Sequence, residues 1–331
     1  MNFWKRKSVL VTGANGLVGS WLTDALVGEG ADVTAYIRDQ VRDSNLTLLG
    51  LGEKINLVKG DVLDAEQLGR VFNEYEVEIC FHLAAQSIVR IGNAGPYPTL
   101  HQNIMGTVNV LEGARNSKKT EKVILASSDK AYGTSGTLPY TEETPLRGAH
   151  AYDVSKSCAD LIGRCYSVSY SLPVNIIRSG NIYGGGDFNW SRIVPNTVRR
   201  IHEGKPPTLT GNGSMVRDFV HVDDVVSGYM LAAERGLCGE AYNLGTEKPT
   251  SILNVAQLIA SEMGYGGKPL LGGDGTRQID AQWLNWEKAK AQLDWQPTIK
   301  LEDGIKDTVS WYSRYLSKEN PCKGSASTVG L

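Results

Sequence analysis

The constraint that bears hardest on this chain is the run Ser8-Val9-Leu10-Val11-Thr12-Gly13-Ala14-Asn15-Gly16-Leu17-Val18-Gly19. An apolar, β-branched stretch turns through three glycines, spaced three apart, into a segment of helical periodicity. Glycine permits the tight turn, lets a pyrophosphate approach the backbone, and lets helix pack closely on strand. The helix N-terminus then offers unpaired N–H groups to phosphate oxygens. The spacing is Gly-x-x-Gly-x-x-Gly, not Gly-x-Gly-x-x-Gly, and its place at the first strand-to-helix turn reads as a dinucleotide site built from Gly13, Asn15, Gly16, Leu17 and Gly19.

The rest of the chain supports that reading. Ser8–Val11, Asp32–Ile37, Ile55–Lys59, Ile79–His82, Lys122–Ala126 and Val174–Arg178 read as buried strands. Val18–Gly28, Ala65–Glu74, Thr107–Asn116 and Val154–Ser169 between them carry helical spacing. Strands separated by helix-length segments imply βαβ crossovers, hence an α/β fold with a doubly wound parallel sheet of Rossmann type. After Arg178 the texture changes. Gly184-Gly185-Gly186 breaks the pattern, and short strands at Thr208–Thr210, Val216–Val222 and Ala241–Leu244 alternate with helices at Ile193–Glu203, Asp223–Ala233, Asn254–Met263, Trp286–Leu293 and from Leu301 to about Tyr315. The expected division is a dinucleotide-binding domain of residues 1–178 and 218–250. A smaller, discontinuous C-terminal α/β substrate lobe takes residues 179–217 and 251–317, and a disordered tail residues 318–331.

Composition narrows the function. Of 331 residues, 41% are hydrophobic, enough for a sizeable core. Lys plus Arg (34) nearly balances Asp plus Glu (36), so nothing points to a nucleic-acid partner. No run reaches the ~18 apolar residues of a membrane span. The basic N-terminus is followed by an apolar run too short for a secretion signal. Five scattered cysteines (Cys80, Cys158, Cys165, Cys238, Cys322) read as free thiols of a cytoplasmic protein. The five histidines show no metal-like spacing, so no metal is expected.

Some residues carry chemistry. At the end of the second strand, Asp39 suits a ribose hydroxyl and NAD, while Arg38 suits the 2′-phosphate of NADP; the run leaves NADP open and favours NAD. Asp61, ending the third strand, suits the adenine amino group. Tyr152 and Lys156 stand four apart, on one helical face, where an ammonium favours the phenolate and lowers the phenol pKa. Ser127-Ser128-Asp129-Lys130 follows an apolar strand, at the edge where open α/β sheets bind ligands.

The glycine motif, Ser128, Tyr152 and Lys156 resemble the extended short-chain dehydrogenase/reductase family. The same resemblance takes in His82-Leu83-Ala84-Ala85, Asn103, Asn181-Ile182-Tyr183-Gly184 and Val216–Asp224, and it covers roughly residues 7–315. It implies a nucleotide-diphosphate sugar as substrate and a homodimer through the helices Thr107–Asn116 and Val154–Ser169. Carried over, Ser128 would hydrogen-bond the sugar 4-hydroxyl, Tyr152 would take its proton, and Lys156 would hold the nicotinamide ribose. Val62, Leu83, Ala84, Ala85 and Asn103 would join the cofactor site. Gln86, Ser87, Asn181, Arg192 and Arg217 would join the substrate site, with Arg277 a weaker member.

Within that family the position after the serine discriminates. Asp129-Lys130, with His82–Gln86 and Gly180–Asp187, looks most like the CDP-glucose 4,6-dehydratases, whereas 4-epimerases usually carry small or neutral residues there. Val216–Asp224 departs from this, following the general epimerase-like pattern. In a dehydratase, oxidation at C4 acidifies the C5 proton, a base removes it, and an acid protonates the departing 6-hydroxyl. Asp129 is a fit acid if burial raises its pKa, and Lys130 a fit base if desolvation makes it neutral. The alternatives are 4-epimerisation (UDP-glucose or UDP-glucuronate type), which needs Ser128, Tyr152 and Lys156 but not Asp129, and, more remotely, a non-catalytic cofactor sensor of the same fold.

Overall fold

A computed structural model describes residues 2–41, 44–134, 136–272 and 279–319. Seven short strands form one sheet: β1 (Ser8–Thr12), β2 (Asp32–Ile37), β3 (Asn56–Lys59), β4 (Ile79–His82), β5 (Lys122–Ala126), β6 (Val174–Ser179) and β10 (Ala241–Leu244). Their order is β10-β6-β5-β4-β1-β2-β3 and every pairing is parallel. Side chains alternate across the pleat. Val9, Val11, Ile79, Phe81, Ile124 and Ile177 feed one core, and Leu10, Cys80, Val123, Leu125, Val174 and Ile176 feed the other.

Helices α1 (Leu17–Gly28), α8 (Val222–Arg235) and α10 (Glu287–Leu293) cover the first face; α3 (Ala65–Glu74), α5 (Pro96–Asn116) and α6 (Ala151–Tyr170) cover the second. Two short helices, α2 (Asn45–Leu48) and α4 (Val89–Ala94), sit in connections. The α/β reading holds. Helix α5 starts at Pro96, well before the expected Thr107, because polar Tyr97–Asn103 masks the apolar period there.

The second lobe has its own core, formed by Tyr183, Val194, Val198, Phe219, Val255, Ile259, Ile305 and Tyr312. It is built from α7 (Ile193–His202), α9 (Ile252–Glu262) and α11 (Leu301–Glu319) on a sheet of β7 (Asn181–Tyr183), β9 (Val216–His221) and β11 (Pro249–Ser251). Strands β8 (Thr208–Leu209) and β12 (Leu270–Leu271) pair separately. One expectation is corrected here. The strand from Asp218 does not return to the main sheet; β9 pairs with β7 and β11, and only α8 and β10 go back. Antiparallel β11 ties β9 to the second lobe by backbone hydrogen bonds, which no apolar pattern records. Helix α11 also continues to Glu319, so the first residues assigned to a tail are helical; residues 320–331 lie outside the described residues. Among the described residues no helix is long and apolar enough to cross a membrane.

At the end of β4, buried His82 joins the layers. Thr107 Oγ1 donates to the Asn103 carbonyl at 2.7 Å, leaving its oxygen to accept from His82 Nε2 at 3.3 Å. His82 Nδ1 then accepts from Thr12 Oγ1 at 2.8 Å, which defines a neutral ring. Burial, with the Lys156 charge nearby, pushes the His82 pKa from 6.5 down to about 3. Between those values the unfolded chain binds a proton that the folded ring refuses, so stability falls on acidification. Urea unfolding at about pH 7 and about pH 5 should show a smaller acid loss in His82→Gln than in the parent; equal losses would contradict this assignment.

Candidate functional site

Because the strands are parallel, their C-terminal ends share one edge, and the second lobe stands over it. Between them lies a cleft of about 970 Å³. It runs from the glycine turn, past Leu83, Ala84, Ala85 and Ser87, to Ser128–Lys130, Tyr152, Lys156, Asn181, Arg192 and Arg217. Gly13 has φ of +71°, and a Cβ there would stand 2.8 Å from the Ala84 backbone N and Cα. A Cβ on Gly19 would strike the Gly13 carbonyl. Gly16 caps α1 with extended backbone and brings no side-chain acceptor, leaving the first-turn N–H groups facing the cleft.

The neighbouring loops are tied to this turn. Asn15 Nδ2 donates to the Asp39 carbonyl at 2.9 Å, and exposed Arg38 and Asp39 pair with each other at 2.7 Å. Asp61 Oδ1 accepts from Leu63 N and from Gln102 Nε2, and Val62 is buried. Asn103 is buried too. It accepts from Gln86 N at 2.7 Å and donates to Ser155 Oγ at 2.8 Å, anchoring the loop after β4 onto α6. Arg38, Asp39, Asp61, Val62, Gln86 and Asn103 do not line the cleft; Gly13, Asn15, Gly16, Leu17 and Gly19 do.

Ser128 opens a 3₁₀ turn, Asp129–Tyr132, its Oγ accepting from Lys130 N and donating to Asp129 Oδ1 at 3.0 Å. Asp129 is 1% exposed. Lys130 Nζ lies 3.5 Å from Asp129 Oδ2 and donates to Gln282 Oε1. Burial lowers the Lys130 pKa, and the positive Arg217 adds to this, against the pull of Asp129 and Asp153. Across the cleft, Tyr152 and Lys156 share a face of α6, with Nζ 6.0 Å from the phenol ring centre.

Here the structure departs from expectation. Burial pushes the Tyr152 phenol up to about 12, outweighing the lowering by Arg192 and by hydrogen bonding with Ser128. Lys156 Nζ is committed to the Ala126 carbonyl at 2.6 Å, and burial drops its own pKa to about 8. Desolvation therefore holds the phenol neutral in this state, contrary to the lowering that the four-residue spacing suggested.

On the lobe side, Arg192 caps α7 and pairs with Asp187 at 3.0 Å, its other nitrogen 3.5 Å from Ser87 Oγ. Arg217, 4% exposed on β9, donates to the Val216 carbonyl at 2.7 Å and faces Asp129. Arg277 lies outside the described residues. Sequence reasoning passed over Tyr229 of α8, which lines the cleft, and Gln282, which stands behind it and accepts from Lys130 although more than a hundred residues away. No local pattern marks either. Ser127, given no separate role within the run at the strand end, has a buried hydroxyl that lines the cleft without a hydrogen-bond partner among the described residues.

Comparison with known proteins agrees with this arrangement. The family described as GDP-mannose 4,6 dehydratase matches residues 10–308. The chain is 30% identical to the CDP-glucose 4,6-dehydratase of Salmonella typhimurium, over 96% of this chain and 94% of that protein. A UDP-glucose 4-epimerase of Thermotoga maritima, solved with UDP-glucose, superposes with a TM-score of 0.87 at 28% identity, covering 93% and 99% of the two chains. A dTDP-glucose 4,6-dehydratase of Streptomyces venezuelae, a double mutant solved with NAD bound, gives 0.86 at 27% identity, covering 95% and 99%.

The tight turn yields a test. Gly19→Ala should destabilise the protein by about 2 kcal/mol or more, since the colliding atoms are backbone and cannot step aside. Gly16→Ala, whose Cβ finds its nearest neighbour at 3.3 Å, should cost less. Urea unfolding of the two variants checks the order.

Proposed function

The chain belongs to the GDP-mannose 4,6 dehydratase family, among the extended short-chain dehydrogenase/reductases, and we propose that it is itself a nucleotide-sugar 4,6-dehydratase that uses NAD. The observation that carries this is the buried acid–amine pair Asp129–Lys130, placed directly after Ser128 in the same cleft as Tyr152 and Lys156. Beside the Asp129–Lys130 pair, the cations Lys156, Arg192 and Arg217 line that cleft against the acid Asp187, an excess suited to a diphosphate.

The glycine turn fits a dinucleotide, with room for backbone approach and none for side chains, and the unpartnered Ser127 hydroxyl lines the same cleft. The similar dTDP-glucose 4,6-dehydratase solved with NAD bound supports NAD over NADP. When bound, NAD supplies a hydride acceptor and a positive ring charge that favours the phenolate. Ser128 then orients the sugar 4-hydroxyl and Tyr152 takes its proton. Lys130, whose pKa burial lowers, is the base that removes the C5 proton once its amine is free of its own proton. Asp129 gives its proton to the 6-hydroxyl, which leaves as water while the C5–C6 double bond forms. The proton held by Tyr152 would return to Asp129 through the Ser128 hydroxyl, and the Lys130 ammonium would reprotonate C5, a bound cofactor supplying the hydride for C6.

Residues 179–217 and 251–317 hold the nucleotide sugar in this reading, through Asn181, Arg192 and Arg217. Exposed Leu161 and Val168 on α6 and Met105 on α5 support a homodimer through these helices, and the free thiols Cys80, Cys158, Cys165 and Cys238 suit the cytoplasm. A second reading, 4-epimerisation, draws on the similarity to the Thermotoga maritima epimerase and on the Val216–Asp224 pattern.

Incubation with CDP-, GDP-, UDP- and dTDP-hexoses in deuterated water separates the two. A dehydratase yields a 4-keto-6-deoxy sugar deuterated at C5; an exchange-free C4 isomer would establish the epimerase instead. Tyr152→Phe should lose about 10²–10⁴-fold in turnover while retaining sugar binding. Asp129→Asn should spare C4 oxidation but slow elimination; unchanged product formation would remove Asp129 as the acid.

A further inference from the structure

Gln282 has no place in the mechanism above, yet its side chain is buried against the elimination pair. We infer that Gln282 is the positioning residue that holds the Lys130 amine over the C5 proton, an inference that rests on the dehydratase reading. The segment carrying Gln282 is pinned on both sides. Val216 N donates to the Asp280 carbonyl at 2.8 Å, and Gln282 N to the Val216 carbonyl at 3.1 Å. Tyr140 N donates to the Trp283 carbonyl at 2.9 Å, and Asn285 N to the Tyr140 carbonyl at 2.9 Å. Leu284 N adds a bond to the buried Asp218 carboxylate at 3.1 Å.

The amide of Gln282 can face only one way. Its Nε2 donates to the Asp129 carbonyl at 3.3 Å and approaches the Gly133 carbonyl at 3.5 Å, two acceptors at opposite ends of the 3₁₀ turn. Reversing the amide would set its oxygen against both carbonyls. Oε1 is thereby turned to Lys130 Nζ. One side chain thus grips the turn that carries Asp129 and Lys130 and fixes where the amine points.

The choice of amide over carboxylate matters. Gln282 brings an acceptor with no charge, so it orients the amine while favouring its ammonium form far less than a carboxylate would. The charges facing Lys130 are Asp129 on its own turn, Asp153 on α6 and Arg217 on β9. A glutamate at 282 would add a negative charge in contact with Nζ and hold the proton on Lys130 to higher pH. An apolar isostere would remove the acceptor and release the amine.

The test compares the NAD-loaded parent with Gln282→Glu and Gln282→Met in deuterated buffers from about pH 6 to about pH 10. The transient reduced cofactor reports C4 oxidation, and C5-deuterated product reports elimination. In a second arm, pH-dependent acetylation of Lys130, read by peptide mass spectrometry without substrate, reports its protonation directly. Gln282→Glu should move both the elimination limb and the labelling curve upward by about one pH unit or more. Gln282→Met should lower elimination about tenfold or more at every pH. In both variants C4 oxidation and KM should stay within about twofold of the parent. Coincident Lys130 labelling curves in the parent and Gln282→Glu overturn the inference, as does a loss of C4 oxidation equal to the loss of elimination. A parent that makes no C5-deuterated product overturns the dehydratase reading itself and the inference with it.

Discussion

At the first turn of this protein two backbones meet where no side chain can stand between them. Gly13 lies against the Ala84 backbone so closely that a Cβ would intrude to 2.8 Å. That approach sets the end of β1 beside the loop after β4, and Gly19 presses α1 onto the same turn. The helix N-terminus, the loop and the ends of β5 and β6 then share one edge. Ser128, Asp129, Lys130, Tyr152 and Lys156 stand on that edge, and Arg192 and Arg217 on the lobe that covers it.

Partial burial shifts the proton equilibria there. Desolvation takes the Tyr152 phenol up to about 12 and the Lys156 amine down to about 8, and it lowers Lys130 as well. Sign follows charge type: burial disfavours whichever form is ionic. The arginines keep their charge at this depth. Arg192 does so because Asp187 pairs with it, and its charge in turn pulls against the rise of the Tyr152 pKa. The cleft thus holds amines of lowered pKa beside fixed guanidinium charges, an environment that favours anionic phosphate and proton transfer at carbon.

The second lobe is joined to the sheet by a polar hub rather than by apolar packing alone. The buried Asp218 carboxylate on β9 accepts from Thr246 N at 2.8 Å, Glu247 N at 3.3 Å and Leu284 N at 3.1 Å. Three segments distant in sequence meet at one side chain. Glycines leave room for it: a Cβ on Gly180 or Gly245 would press on Asp218. The segment carrying Gln282 is held by this hub, and the orientation of Lys130 follows from it.

Much of this architecture is legible in the residues alone. The continuous apolar runs of β1, β4 and β5, buried on both faces of the sheet, and the one-sided apolar faces of α3 and α8 leave a record in sequence. The glycine turn, Ser128, Tyr152 and Lys156 are likewise readable, because turn geometry and helical spacing are local. The early start of α5 at Pro96 and the transfer of β9 to the second sheet are not, since polar residues and backbone pairing leave no such record. The phenol pKa escapes the sequence for a related reason. Spacing reports that Lys156 is near Tyr152, but only the fold shows that Lys156 is engaged by the Ala126 carbonyl and that desolvation raises the phenol pKa. Sequence alone determined the α/β architecture and which local groups face the edge; the tertiary structure decided their protonation and brought Gln282 to Lys130, because solvation and contacts across more than a hundred residues depend on how the chain closes on itself.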